Sequence, residues 1–189
     1  MASLRSFACY RKVKRAYTRK SRFKSKSYIK AVPTCKVVKF NYGNLKKEYP
    51  VKVLLMSKEH LQVRHNAIES ARLSVIRRLN KQLGKDYHFQ IRAYPHHVLR
   101  ENKMITGAGA DRMQTGMQRA FGKAAGLAAQ LKPKKIIFCC YVDTENVEVV
   151  QKAMRSAMHK LPCKCSITTE KVVKKKVKKS SGEHQAVVA

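Results

Sequence analysis

The sequence predicts an α+β fold: a two-layer sandwich in which two helices pack on one face of a mostly antiparallel sheet. Two long segments repeat apolar residues at the 3.6-residue spacing of a helix, and several shorter segments alternate as strands do. Their order along the chain is strands, helix, strands, helix and strand. This order favours helices gathered on one side of the sheet over a regular alternation of strands and helices.

The chain divides into three predicted parts. Residues 1–34 form a long basic N-terminal arm, residues 35–170 form the α+β domain, and residues 171–189 form a lysine-rich basic tail that we expect to be disordered. Within the domain, residues 101–120 form a central flexible loop. Since 44% of the residues are hydrophobic, the chain has enough apolar material for one core.

Two strands are predicted ahead of the first helix. Val37, Val38 and Phe40 precede a turn at Tyr42-Gly43-Asn44, and the apolar run VKVLLM follows at 51–56. The two runs are predicted to be two strands with a short polar connection between them.

The first helix is predicted to begin after Ser57, a suitable N-cap, with Glu59 in its first turn. Gly84 is a suitable C-cap. The apolar stripe expected to be buried comprises Leu61, Ile68, Ala71, Val75, Ile76, Leu79 and Leu83. The cationic outer face comprises Arg64, Arg72, Arg77, Arg78 and Lys81.

In the second half, predicted strands are again followed by a predicted helix. Residues 87–99 alternate as a strand in which Pro95 marks an edge, a bulge or the end, and residues 126–143 read as two strands or as one broken at Pro133. Thr144 or Asn146 can cap a second helix, which Pro162 stops, and residues 163–169 can form a last strand. The buried stripe of this helix comprises Val147, Val150, Met154, Ala157, Met158 and Leu161.

The charge of the chain points to a polyanionic partner. Against 11 Asp and Glu there are 42 Lys and Arg, a formal net charge of +31, and so large an excess repels itself unless counter-charge surrounds it. Nucleic acid supplies that counter-charge. We expect no membrane partner, because the longest apolar runs are too short to span a bilayer and no secretory leader follows Met1.

The cysteines predict neither a metal site nor a disulfide framework. No CxxC pair occurs, and structural zinc requires ligands paired at short spacing. We therefore expect reduced thiols in a cytosolic protein, with no metal and no cofactor. The six cysteines are Cys9, Cys35, Cys139, Cys140, Cys163 and Cys165.

The N-terminal arm combines cations with aromatic rings. Residues 1–34 hold eleven Lys and Arg and no acid, and Tyr10, Tyr17, Phe23 and Tyr28 are interleaved among them. Cations can meet phosphates, and flat rings can stack on unpaired bases, so the arm favours RNA. The alternative is a solvated tail with incidental aromatics.

The stretch from His96 to Gly126 has no clean helical or strand period over about twenty residues, although it lies between strand-like segments. It is rich in glycine and in cations, which suggests a flexible loop that enters an RNA cleft, while an ordinary basic surface loop is the alternative. His96, His97, Glu101 and Asp111 would permit acid–base chemistry. Because the chain offers no paired-carboxylate motif, activated nucleophile or P-loop spacing, we do not predict an enzyme.

Three strings around this loop resemble the signature of a known family: HHVLRENKM at 96–104, GAGADRMQTGM at 107–117 and AFGKAAG at 120–126. The family is that of the universal large-subunit ribosomal proteins called L-sixteen in bacteria and L-ten-e in archaea and eukaryotes, whose archaeal and eukaryotic branch fits best. The segment CYRKVKRAYTRK at 9–20 is similar to the family's basic N-terminal segment. Ala124 stands where the family usually has proline, and Gln130 where it usually has a cation.

The resemblance implies a structural constituent of the large ribosomal subunit, located in the cytoplasm. Its partners would be large-subunit rRNA, A-site and P-site tRNA, and neighbouring ribosomal proteins. The loop would lie near the peptidyl transferase centre and help to position tRNA. The alternative function is a free-standing RNA chaperone or nucleic-acid-compacting protein.

Two sets of residues carry this expected function. The RNA-binding set comprises Arg5, Tyr10, Arg11, Lys12, Lys14, Arg15, Tyr17, Arg19, Lys20, Arg22, Lys24, Arg92, His96, His97, Arg100, Lys103, Arg119 and Lys123. The loop set, expected near tRNA and the peptidyl transferase centre, comprises Met104, Gly107, Gly109, Asp111, Arg112, Gln114, Thr115 and Gly116.

Overall fold

The computed structural model describes residues 5–13, 23, 25, 29, 31–102, 107–109 and 122–172. Within these ranges the chain combines helices with antiparallel strands, as predicted for an α+β fold. The helices are α1 (Ala8–Arg11), α2 (His65–Leu83) and α3 (Val147–Met158). The strands are β1 (Asn41–Gly43), β2 (Val51–Ser57), β3 (Leu61–Arg64), β4 (His88–Ile91), β5 (His97–Glu101), β6 (Lys123–Leu131), β7 (Ile136–Val142) and β8 (Cys165–Lys171).

The strands form two sheets, where the sequence predicted one. A five-stranded sheet has the order β1-β4-β7-β2-β8, and a three-stranded sheet has the order β3-β6-β5. Every pairing among the described residues is antiparallel. The chain passes from one sheet to the other at each of the two prolines noted in the sequence. Pro95 lies between β4 and β5, and Pro133 lies between β6 and β7.

The strands at the centre of the five-stranded sheet are its most apolar segments. β2 and β7 pair along most of their length, from Val51 opposite Val142 to Met56 opposite Ile136. Phe89 of β4 and Phe138 of β7 are fully buried, and their ring centroids lie 5.2 Å apart. Such aromatic pairs contribute packing beyond the burial of their area.

The first helix begins later than the sequence predicted. Ser57 closes β2 instead of capping a helix, and its hydroxyl donates to the carbonyl oxygen of Glu59 at 2.8 Å. The intervening residues 61–64 pair with residues 128–131 as β3, which buries Leu61 and Val63. Short apolar alternation fits a strand here better than a helical turn, and α2 follows directly from His65.

The apolar stripes of both long helices face the core. In α2, Ile68, Ala71, Val75 and Leu79 are buried, whereas Ile76 and Leu83 are only partly buried against the same core. In α3 the buried residues are Val150, Ala153, Met154 and Ala157. Asn146 precedes α3 as its N-cap residue, and the predicted stripe residue Leu161 is buried just beyond the helix end.

Three smaller differences concern the ends of the domain. The first strand is the short β1, which pairs with β4, so the predicted turn residues Tyr42 and Gly43 lie within a strand. Val38 is 80% exposed and lies in no strand. β8 extends to Lys171, one residue into the predicted tail, and residues 173–189 lie outside the described ranges.

Candidate nucleic-acid interface

The described part of the N-terminal arm lies against the three-stranded sheet. Gln62 and Arg64, two residues apart on β3, share one face of the strand. The Gln62 amide Nε2 donates to the Lys12 carbonyl oxygen at 3.2 Å, and the Arg64 Nη1 donates to the Arg5 carbonyl oxygen at 2.9 Å. The segment that contains α1 is therefore held at both ends, by Arg64 at Arg5 and by Gln62 at Lys12.

Tyr10 joins this segment to the end of β5. Its hydroxyl donates a hydrogen bond to the carboxylate of Glu101, and the Arg64 guanidinium lies 5.6 Å from the centroid of its ring. The cation over the ring face and the hydroxyl bond both fix the ring. Tyr10 was predicted to contact RNA; the structure gives it two contacts within the protein.

The central loop starts and ends on adjacent paired strands. Arg100 pairs with Ala124, and Glu101 pairs with Lys123 at the ends of β5 and β6. The connection between them therefore leaves and re-enters the sheet at one place, which is the stem of the loop. Within the loop the structure describes residues 107–109, where Gly109 has φ +76, a conformation that glycine adopts readily.

Burial near the start of β5 disfavours the charged form of one histidine. Burial lowers the pKa of His97, and the nearby His96 and Arg100 lower it further. Burial also lowers the pKa of Arg100. His96 is exposed, with its backbone N–H 3.0 Å from the Tyr94 carbonyl oxygen. The lowered pKa means that His97 adds little positive charge at this place.

In the described part of the chain, a few cations form salt bridges with carboxylates. Within the described ranges, Arg11 pairs with Glu59 at 2.9 Å, Lys47 with Asp143 at 2.9 Å and Lys52 with Glu170 at 2.7 Å, while Arg72 pairs with Glu69. Since the full sequence holds 42 Lys and Arg against 11 Asp and Glu, its acids cannot neutralise its cations. The surplus positive charge is consequently available to an external polyanion.

The structure brings some predicted site residues together and places one elsewhere. The docked segment carries Arg5, Tyr10, Arg11 and Lys12, and the stem carries Arg100 and Lys123, with His96 and His97 at the opposite end of β5. Arg92 lies at the end of β4 in the five-stranded sheet region. The following predicted residues lie outside the described ranges: Lys14, Arg15, Tyr17, Arg19, Lys20, Arg22, Lys24, Lys103, Met104, Asp111, Arg112, Gln114, Thr115, Gly116 and Arg119.

Two arginines lie in surroundings that differ from those predicted by the sequence. Arg64 was expected on the outer face of the first helix, but it ends β3 and holds the N-terminal segment. Arg72 has a side chain only 14% exposed, bridges to Glu69 and stacks 4.9 Å from the Tyr42 ring centroid. It stabilises the fold and is not a free cation of the helix surface.

The described residues show neither a metal site nor a membrane-spanning helix. They contain no group of three or more histidine, cysteine or acidic side chains that could hold a metal ion. No helix within them combines the length and apolarity needed to cross a membrane. The two nearest cysteines, Cys163 and Cys165, are free thiols with their sulfur atoms 3.4 Å apart.

These features define a class, a basic α+β domain in which a cationic N-terminal segment is docked beside the stem of a glycine-rich loop. The sequence profile of the family described as "Ribosomal protein L16p/L10e" matches residues 13–168. This chain belongs to that family.

Several archaeal relatives cover most of the chain. A "Large ribosomal subunit protein uL16" of Methanospirillum hungatei is 48% identical over 158 residues, 83% of this chain and 89% of the relative. The protein of that name from Methanosphaerula palustris is 45% identical, over 84% of this chain and 89% of the relative. The one from Methanococcus aeolicus is 46% identical over 89% and 95%. The predicted family, in its archaeal and eukaryotic branch, is confirmed by these archaeal relatives, as is the prediction of a non-enzymatic ribosomal protein.

Proposed function

We propose that this chain is a structural constituent of the large ribosomal subunit in the cytoplasm, where it binds large-subunit rRNA and neighbouring ribosomal proteins. The observation that carries the proposal is the family match over residues 13–168, together with relatives named as large-subunit proteins. The net charge of +31 supports an RNA partner, because such a chain needs polyanionic surroundings.

The docked N-terminal segment supports a particular mode of rRNA binding. Tyr10, Gln62 and Arg64 fix the backbone of residues 5–12, so the exposed side chains of Arg5 and Lys12 project from a held segment. Holding the segment before binding reduces the conformational entropy lost when phosphates are contacted. The predicted RNA contacts of residues 14–24 would extend this surface along the arm.

The finer part of the proposal concerns the loop at residues 101–120. We propose that it lies near A-site and P-site tRNA and the peptidyl transferase centre, and that it positions tRNA without taking part in the chemistry. The stem supports this, because Glu101 of β5 lies opposite Lys123 of β6 in the sheet and Tyr10 is hydrogen-bonded to Glu101. A loop on a fixed stem can place its tip reproducibly, and small displacements at a site that aligns reactants cost large factors in rate.

Binding of rRNA is tested with the full chain and fragments of large-subunit rRNA at several salt concentrations. If about six to ten phosphates are neutralised, the logarithm of the affinity should fall with the logarithm of salt at a slope of roughly −4 to −9. An RNA of equal length and unrelated sequence is the control and should bind more weakly. A slope near zero would contradict binding driven by phosphate contacts.

The positioning role is tested by replacing residues 107–116 with a short Gly-Ser linker and assembling large subunits with the variant. If the loop lies outside the packed core, the free energy of unfolding should change by no more than about 0.5 kcal/mol, and rRNA binding should persist. Peptide-bond formation should be normal with a minimal substrate and slow with full-length tRNA. Undiminished rates with both substrates would contradict a role in tRNA positioning.

A further inference from the structure

A basic groove lies on the five-stranded sheet, where β4 ends and β7 begins. It encloses about 350 Å³ and is lined by Gln90, Ile91, Arg92, Lys134, Lys135 and Ile136. Three of the six residues are exposed cations. The volume falls at the small end of the range of about 300–1,000 Å³ typical of ligand sites, so the groove can admit part of one nucleotide. We refer to it as the Arg92 groove.

Hydrogen bonds fix the backbone beneath all three cations. The Arg92 N–H donates to the Ile137 carbonyl oxygen at 2.9 Å. The Lys134 N–H donates to the Ser57 carbonyl oxygen at 2.7 Å, and the Ser57 N–H donates to the Lys135 carbonyl oxygen at 3.0 Å. The charged ends are therefore carried on a backbone that is tied to the sheet.

Lys134 has an unusual backbone conformation. Its φ is +63, and it is the one residue other than glycine with a positive φ in the described part of the chain. A residue with a side chain pays a conformational cost there, which glycine avoids. The sequence nevertheless places a lysine in the turn, and a strained position that retains a charged side chain is a reason to look for a ligand.

The cations of the groove form no salt bridge with an acidic side chain in the described part of the chain. None of the salt bridges formed among the described residues includes Arg92, Lys134 or Lys135. The Arg92 Nη1 donates to the Gln90 side-chain oxygen at 3.3 Å, which orients the guanidinium without neutralising it. A forked guanidinium with two lysines beside it fits the oxygens of a phosphodiester.

An exposed aromatic ring lies two residues along the chain from Arg92. Tyr94 is 60% exposed, and Phe40 packs at 5.5 Å between ring centroids, with 33° between the ring planes. The ring is thus supported by the protein and still accessible. Aromatic rings next to cations are the usual platform for unpaired bases.

We propose that the Arg92 groove, together with Tyr94, is a second RNA contact that binds the phosphates of an unpaired strand and stacks one base on the Tyr94 ring. It is separate from the docked N-terminal segment, because it lies on the other sheet. This proposal rests on the proposed function and names the RNA feature that the five-stranded sheet binds.

The test compares the full chain with two triple variants of equal charge. Arg92→Gln/Lys134→Gln/Lys135→Gln removes the groove cations, and Arg77→Gln/Lys81→Gln/Lys85→Gln removes one exposed arginine and two exposed lysines at α2. Binding to large-subunit rRNA fragments with unpaired loops is measured against salt. The groove variant should lose about 2 from the magnitude of the salt slope, because each single-strand phosphate contributes roughly 0.7, and the α2 variant should lose less.

Three single variants separate binding from folding. Tyr94→Ala should weaken binding to RNA with unpaired loops about ten-fold or more while Tyr94→Phe retains it, since stacking needs the ring and not the hydroxyl. Lys134→Gly should keep or raise the melting temperature, because glycine accepts the positive φ, and should still weaken RNA binding. A purely structural lysine would show no loss of binding in Lys134→Gly.

The outcomes distinguish this proposal from the one before it. If the parent does not bind rRNA at all, both proposals fail. If the parent binds and the groove variant behaves like the α2 variant, the groove proposal alone is overturned. Competition by inorganic phosphate or by an acidic peptide as effective as that by RNA loops would also overturn it, since the site would then bind small anions or acidic protein segments.

Discussion

At Gly43 the backbone leaves no room for a side chain. Its φ is +86, and a Cβ placed on it would overlap the backbone carbonyl oxygen of Tyr87, which also accepts the Asn44 N–H at 2.8 Å. Gly84 has φ +60 but open space around it. The two glycines therefore separate backbone strain from steric overlap.

We predict that Gly43→Ala lowers the free energy of unfolding by about 3 kcal/mol or more, because strain and overlap act together. Gly84→Ala should cost only the strain, about 1–3 kcal/mol. Denaturant unfolding of both variants measures the difference. Equal losses would mean that β1 moves away from Tyr87 without penalty.

His65 makes stability depend on pH. It is buried at the start of α2, and its Nδ1 accepts the Lys36 N–H at 3.2 Å. Burial lowers its pKa, and Lys36 and Arg64 lower it further. The unfolded chain then binds a proton more readily than the folded chain, so the contribution is complete above the ordinary pKa of about 6.5 and is lost as pH falls below it.

We predict that the free energy of unfolding declines as pH falls below about 6.5, because the unfolded chain then takes up a proton at His65 more readily than the folded chain. His65→Gln retains an acceptor for the Lys36 N–H but does not titrate, so the decline should become shallower. Some decline should remain, because burial also lowers the pKa of His88 and of His97. An unchanged pH profile in His65→Gln would exclude His65 as a source.

At the scale of elements, two adjacent residues of α2 differ in burial. Val75 is fully buried, whereas its neighbour Ile76 is only partly buried. We predict that Val75→Asp costs several kcal/mol, because it buries an unpaired charge, and that Ile76→Asp costs clearly less. Thermal melting of the two variants gives the comparison. A larger loss at Ile76 would show that the helix is rotated from the orientation described.

The N-terminal segment should contribute binding more than stability. α1 has no buried residue, whereas Ile29, further along the arm, is 6% exposed and packs with Val98 and Leu127. We predict that removing residues 1–12 preserves cooperative melting and lowers the magnitude of the rRNA salt slope by up to about 3, for Arg5, Arg11 and Lys12. An unchanged slope, or loss of cooperative melting, would contradict this role.

Local patterns predicted the helices well because each helix carries its own period. The stripes of Ile68 to Leu79 and Val150 to Ala157 follow the spacing and are buried. The division into two sheets is not visible in that way, since which strands pair depends on contacts between distant segments. Residues 61–64 precede a helix without a break, so the local pattern predicts helix for them, and only pairing with β6 makes them a strand.

The candidate site was predictable in composition and not in arrangement. The charge, the aromatic residues of the arm and the loop strings indicated RNA, but no local pattern shows that Tyr10 bonds to Glu101, 91 residues away. The sequence pattern places the lysines at 134 and 135 in a strand-like run. In the structure they follow Pro133 in the turn between β6 and β7, and proline is common in turns. Contacts of this kind follow from the folded topology.

At the scale of the whole molecule, the central claim is that the protein is a stoichiometric part of the large ribosomal subunit. The competing account is a free-standing RNA chaperone or nucleic-acid-compacting protein, which would share the charge of +31. A subunit protein is held by many contacts fixed during assembly, whereas a chaperone held by charge alone exchanges and is released by salt.

The most direct measurement is sedimentation of a cell extract through gradients of increasing salt, with the protein quantified against large-subunit rRNA in each fraction. We expect one copy per large subunit, cosedimentation with large subunits and whole ribosomes, and retention at salt that releases loosely bound basic proteins. Recovery mainly at the top of the gradient, or a copy number that varies with salt and RNA concentration, would contradict it.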